Sequence, residues 1–152
     1  MDPLPRGFFP SWHFRREILT EMSEENVEVV REAWDALGRG DLDAAEARFA
    51  SDAEIDQTRA VGMDRGNFTL KQFLRAAEQF IGAWDSIDWA ADEFIDLGHD
   101  VVTPFTNRMR GRDGIEVQAR GVIVWTVRDG LIVRYCLYQD RREALKAVGP
   151  AE

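Results

Sequence analysis

Residues 38–57, GRGDLDAAEARFASDAEIDQ, hold the decision about the fold. Gly38 and Gly40 stop a preceding helix, because glycine leaves a helix end without steric penalty. Asp41 stands at an N-cap position, and Leu42, Ala45 and Phe49 form the apolar side of a second, shorter helix. AEIDQT, residues 53–58, then reads as a short strand. The stretch is thus a corner of helix, short helix and strand, and it ends on two polar side chains, Asp56 and Gln57.

Upstream of that corner, Ser23 is placed to cap the first helix, with Glu24 and Glu25 suited to its dipole. Val27, Val30, Trp34 and Leu37 recur at helical spacing behind them. Residues 1–21 read as an N-terminal extension, disordered or loosely packed, with Met22 a natural beginning for a domain over 22–149. Pro3, Pro5 and Pro10 exclude a regular helix before Trp12, and Arg15 and Arg16 follow an apolar run too interrupted for a signal peptide. A second reading makes this extension an arm docking on a partner subunit through Phe8, Phe9, Trp12 and Phe14.

Downstream, a loop over residues 59–68 leads to Thr69 and Gln72, which form a capping box for a third helix burying Leu70, Phe73, Ala77, Ile81 and Trp84. From Ile87 the hydrophobic period falls from 3.6 to 2. Four antiparallel strands are expected, over 87–97, 100–110, 114–128 and 131–140, separated by GHD, GRD and DG turns. A short closing helix, RREALKAVG, ends the pattern. Helices followed by strands predict one α+β domain, three N-terminal helices on a mainly antiparallel sheet.

In the last hairpin, a two-residue Asp-Gly turn would set Trp125 against Arg134. A three-residue loop, Arg128-Asp129-Gly130, pairs Trp125 with Val133 and Ile123 with Tyr135, keeping one face apolar. The three-residue loop is therefore expected. The opposite face carries Val122, Val124, Cys136 and Tyr138, so both faces need cover. Three helices cover one; a homodimer through the outer face is the expected cover for the other.

Composition bounds the function. The chain has 152 residues, a single-domain length, and a net charge of −9 without a clustered basic face, which argues against nucleic acid. Cys136 is the one cysteine, which fits a cytoplasmic protein, and His13 and His99 are too isolated for a metal site. No cofactor is expected, and no run is long enough to span a membrane.

Four segments carry a resemblance: ENVEVVREAWDALGRGDLDAAEARFASDAEI at 25–55, GMDRGNFTLKQFL at 62–74, DEFIDLGHDVV at 92–102 and VIVWTVRDGLIVRYCLYQDRREAL at 122–145. From Met22 to Gly149 the chain resembles SnoaL-like proteins of the nuclear transport factor 2-like superfamily. The resemblance implies a strongly curved sheet with three helices in its concave face, a cone with a pocket at the open end. Its isomerases carry a carboxylate base at the end of the first strand, where this chain has Gln57, with Asp56 one residue before. Positions of their oxyanion donors read Ala33 and Ile123, and the acid of the epoxide hydrolases would fall near Leu137. All of these groups are missing.

The remaining candidates are few. Asp56 and Asp140 are the carboxylates considered for catalysis. Gln57, Asn107, Tyr135 and Gln139 are the expected polar handles of the pocket. Trp34, Phe73, Trp84 and Phe105 are its expected apolar lining, with Ile123, Trp125 and Leu137 from the last strands. The expected function is binding of a small hydrophobic molecule by a non-catalytic or accessory protein. The alternative is an acid–base enzyme of isomerase, cyclase or hydratase type acting on a polyketide-like or other cyclic substrate.

Overall fold

A computed structural model describes residues 11–61 and 63–148, with side chains described from Ser23 onward. The first helix, α1, spans Ser11–Arg39, so Ser23 lies inside it and is not its N-cap. The extension expected over 1–21 is therefore helical from Ser11; Phe8, Phe9 and the side chains of Trp12 and Phe14 lie outside the described residues. The C-terminus of α1 closes as a Schellman motif: Gly40 N–H donates to Leu37 O and Asp41 N–H to Ala36 O, at 3.1 and 2.9 Å. Gly40 adopts φ 74°, which a side chain would resist. Asp41 then caps α2, Leu42–Glu46, by accepting from the Ala44 amide. Phe49, expected on that helix, opens a strand instead. The third helix, α3, is Leu70–Gly82 and carries the expected Thr69–Gln72 capping box.

Among the described residues one sheet holds seven strands, β1 Phe49–Asp56, β2 Asn67–Phe68, β3 Ser86–Asp88, β4 Ile95–Leu97, β5 Asp100–Arg110, β6 Glu116–Arg128 and β7 Leu131–Tyr138. Their order is β2-β1-β7-β6-β5-β3, with β4 also on β5; β1 runs parallel to β7 and every other pairing is antiparallel. The strand expected over 87–97 is broken into β3 and β4, and Pro104 on the facing β5 explains the break. In an antiparallel ladder a residue's N–H and C=O point to the same neighbour. Pro104 accepts there from Asp92 N at 2.8 Å but has no N–H to return, so the partner chain leaves the ladder. Asn107 supports the excursion: its Oδ1 accepts from Ala90 N at 3.0 Å, as a backbone carbonyl would.

Trp89 lies in this excursion and packs on α1. Its indole stacks on Trp34 with centroids 4.6 Å apart, and Nε1 donates to the Trp34 carbonyl at 3.0 Å. Gly38 makes room for it, since a Cβ there would fall 2.5 Å from Trp89 Cδ1. Gly38 is thus a packing residue within α1 and the stop is made by Gly40.

The β6–β7 hairpin differs from both registers considered above. Asp129 and Gly130 have φ 52° and 77°, the signature of a two-residue turn between Arg128 and Leu131. Val133 is then an extra residue, a bulge between the Val127–Ile132 and Thr126–Arg134 pairs. Beyond it Trp125 pairs with Tyr135 and Ile123 with Leu137, so the inner face stays apolar. The apolar-face requirement is met, but by a bulge after the turn rather than by a longer turn. Ile132 takes the buried place expected for Val133.

The inner face joins α1 and α3 in the main core, which contains Val30, Trp34, Phe73, Ile123 and Trp125. Gly121 lets the Phe105 ring lie across β6, where a Cβ would stand 2.8 Å from the ring. On the outer face Val122, Val124, Cys136 and Tyr138 are buried with Val102 and with Ala144 of the closing helix α4, Arg141–Val148. Part of the cover on this face comes from within the chain, because α4 packs across β5, β6 and β7.

Gly38→Ala is expected to destabilise the protein by roughly 1–3 kcal/mol, the usual cost of overpacking. In a Trp89→Ala background the same change is expected to stabilise by up to about 1 kcal/mol, the helix preference of alanine over glycine. Urea unfolding of the single and double variants checks the reversal of sign; stabilisation in both backgrounds would refute the packing role.

Candidate functional site

A cavity of about 270 Å³ opens between α1, α3 and the inner face of the sheet. Trp34 and Leu37 of α1 and Trp89 of the β3–β4 excursion form one wall. Phe73, Ala76, Ala77 and Phe80 of α3 form the opposite one, with Gln79 and Ile81 towards the end of that helix. Phe68 of β2 and Tyr135 of β7 contribute from the sheet, and Met63 and Asp64 from the loop between β1 and β2. The aromatic floor is continuous with the core: Phe73 and Tyr135 rings are 4.9 Å apart, and Tyr135 meets Trp125 edge-on at 5.0 Å.

Two buried polar groups face this space. Gln57 follows β1 directly, and its backbone is tied by Gln57 N to Gly66 O at 2.8 Å and Ala60 N to Gln57 O at 3.0 Å. Its side chain is buried, and its Nε2 donates to Met63 Sδ at 2.9 Å. Sulfur is a weak acceptor, so a ligand oxygen there would be the better partner. The Tyr135 hydroxyl has no hydrogen-bond partner among the described residues. Burial, with a smaller contribution from Cys136, pushes its pKa well above that of ordinary tyrosine. It therefore stays protonated and can donate but not abstract a proton.

The expected carboxylates lie elsewhere. Asp56 points to the outer side, where its Oδ1 accepts from Thr58 N at 3.0 Å and Thr58 Oγ1 at 2.7 Å. Arg59 and Arg134 approach its Oδ2 at 3.4 and 3.7 Å. Burial raises the Asp56 pKa, but the Thr58 hydroxyl and amide and the Arg59 charge outweigh it, and the net shift is downward. Asp140 is the N-cap of α4, accepting from Glu143 N at 2.8 Å. Asp64, an exposed residue of the loop, is the carboxylate that does line the cavity.

Of the expected pocket residues, Trp34, Gln57, Phe73 and Tyr135 come together around the cavity. Ile123, Trp125 and Leu137 are core residues behind it, and the Trp125 indole donates to Thr103 Oγ1 at 3.2 Å. Phe105 sits behind Trp34, with ring centroids 5.5 Å apart. Asn107 holds the β3–β4 excursion and so positions Trp89 rather than touching the cavity. Gln139 donates to the Arg59 carbonyl at 2.5 Å, and Trp84 packs edge-on against Phe80 outside the cavity. Trp89, Phe68, Phe80 and the loop residues were missed. A proline inside an apparent central strand was the available signal for Trp89; the loop, with no hydrophobic period, offered none. Among the described residues no group of three His, Cys, Asp or Glu side chains could hold a metal ion, and no helix is long and apolar enough to cross a membrane.

Residues 30–135 match the SnoaL-like domain family. No curated protein matches the chain in sequence. Among solved structures, an NTF2-like protein of unknown function from Burkholderia pseudomallei is 23% identical, with 83% of this chain and 98% of that one covered and a TM-score of 0.64. A candidate polyketide cyclase from Xanthomonas campestris is 18% identical over 83% of this chain and 98% of its own, with a TM-score of 0.63. An LEH-like epoxide hydrolase from M. tuberculosis is 20% identical, covers 81% of this chain and 88% of its own, and has a TM-score of 0.62. Likeness at this level is likeness of fold.

The lowered pKa of Asp56 gives a signed expectation. A carboxyl held below its unfolded value stabilises above the unfolded pKa, and that contribution is lost as pH falls through the folded pKa. Asp56→Asn is therefore expected to be less stable than wild type at neutral pH, with the difference closing below about pH 4. Thermal unfolding across that range checks it; a gap that widens in acid would contradict the assignment.

Proposed function

The chain belongs to the SnoaL-like domain family, and from that premise we propose that it holds a small hydrophobic molecule as a binding or accessory protein. One observation carries this reading. Among the described residues, the buried part of the cavity presents aromatic and aliphatic walls with two hydrogen-bonding groups, the Gln57 amide and the Tyr135 hydroxyl, and no buried carboxylate. Neither group accepts a proton at neutral pH, whereas both can fix a ligand oxygen.

A second reading has its own support. Asp64 is a lining carboxylate, and proteins of the same fold include a candidate polyketide cyclase and an epoxide hydrolase. In that reading Asp64 takes a proton from a cyclic, polyketide-like substrate while Tyr135 donates to its oxygen, provided the loop brings Asp64 within hydrogen-bond reach.

A thermal-shift screen with aromatic, steroid and polyketide ligands tests the first reading; no stabilisation by any of them would count against it. Tyr135→Phe is expected to leave stability unchanged, because its hydroxyl has no partner among the described residues, and to weaken a carbonyl ligand roughly threefold to tenfold. Incubation of any binder with the protein, analysed for altered product, separates the readings. Unchanged ligand supports binding alone; turnover abolished by Asp64→Asn supports the enzyme.

A further inference from the structure

The charge of the cavity lining is one-sided. Among the described residues of the lining Asp64 is the single charged one, and no lysine, arginine or histidine stands with it. Around it stand six aromatic rings, among them the stacked Trp34–Trp89 pair. Aromatic faces carry negative electrostatic potential and attract cations, above all those of tryptophan. An anionic ligand would lose its hydration without meeting a counter-charge. The net charge of −9 acts in the same direction at longer range.

The polar groups also differ in depth. Gln57 and Tyr135 are buried, whereas Asp64 is exposed on the loop that also carries Met63. A ligand matching this gradient has an oxygen at its inner end, a flat apolar body, and a positively charged nitrogen near the mouth. We infer that the cavity selects a cationic aromatic molecule, an amine carried on a flat apolar ring system, with Asp64 as the specificity-determining residue. This rests on the binding reading above and adds the sign of the ligand's charge.

Naphthylmethylamine, naphthylmethanol and naphthoate share one ring system and differ in charge, so they separate the two claims. Calorimetric titration of the wild-type chain is expected to rank amine above alcohol above carboxylate. The amine should exceed the alcohol by roughly fivefold to tenfold, the size of a cation–π contact together with a partly exposed ion pair. In Asp64→Asn the alcohol should bind as before, and the advantage of the amine should fall by half or more. Equal binding of amine and alcohol, a carboxylate that binds as tightly as the amine, or an unchanged ranking in Asp64→Asn would overturn the inference while leaving a cavity that binds apolar rings. Binding of none of the three would overturn the binding reading and this inference with it.

Discussion

The pairing of Trp125 with Tyr135 across β6 and β7 is the contact on which core and cavity both depend. Trp125 is completely buried, with its indole N–H satisfied by Thr103. Phe49 packs against both Trp125 and Phe73, and Phe73 against Tyr135, so four aromatic side chains from three strands and a helix close a ring. Cross-strand aromatic pairs hold only when both side chains stand on one face, and a slip of one residue would turn one of them out. The bulge at Val133 protects that condition against a turn that would otherwise violate it.

The sheet is covered on both sides by different means. On the inside, α1 and α3 supply apolar faces over a wide area. On the outside a short helix, capped by Asp140, covers a smaller patch. Beside that patch, Arg59 lies 4.5 Å over the Tyr138 ring and reaches both Asp56 and the Cys136 sulfur. These contacts fix the root of the β1–β2 loop from behind the sheet. Its further part passes to the cavity, where Met63 and Asp64 arrive. Asp56, a candidate for catalysis by its position, is one of the anchors of this loop.

Much of this was legible in the residues. The capping box at Thr69, the turn residues at Asp129-Gly130 and the alternation through β5, β6 and β7 are local signals, and each element formed where those signals stood. What was not legible depended on a distant partner. The break between β3 and β4 follows from a proline on the facing strand, and Asn107 becomes a structural acceptor only because that break exists. The Val133 bulge restores a parity that neither strand specifies alone. The start expected for the first helix differs for another reason: Ser23 and its acidic neighbours suit a first turn, yet the same residues sit without conflict inside a longer helix.

The cavity is built half from the fold's foundations and half from an addition. Phe73 and Tyr135 belong to the main core, so any change that reshapes the floor also spends stability. Met63 and Asp64 lie on an exposed loop outside that core, where substitutions are felt mainly by whatever occupies the space. In divergent copies of this chain the shape and charge of the cavity would therefore change from the loop side first, with the aromatic floor changing only under compensation elsewhere. A small curved sheet of this kind can in that way keep one architecture while its chemistry drifts.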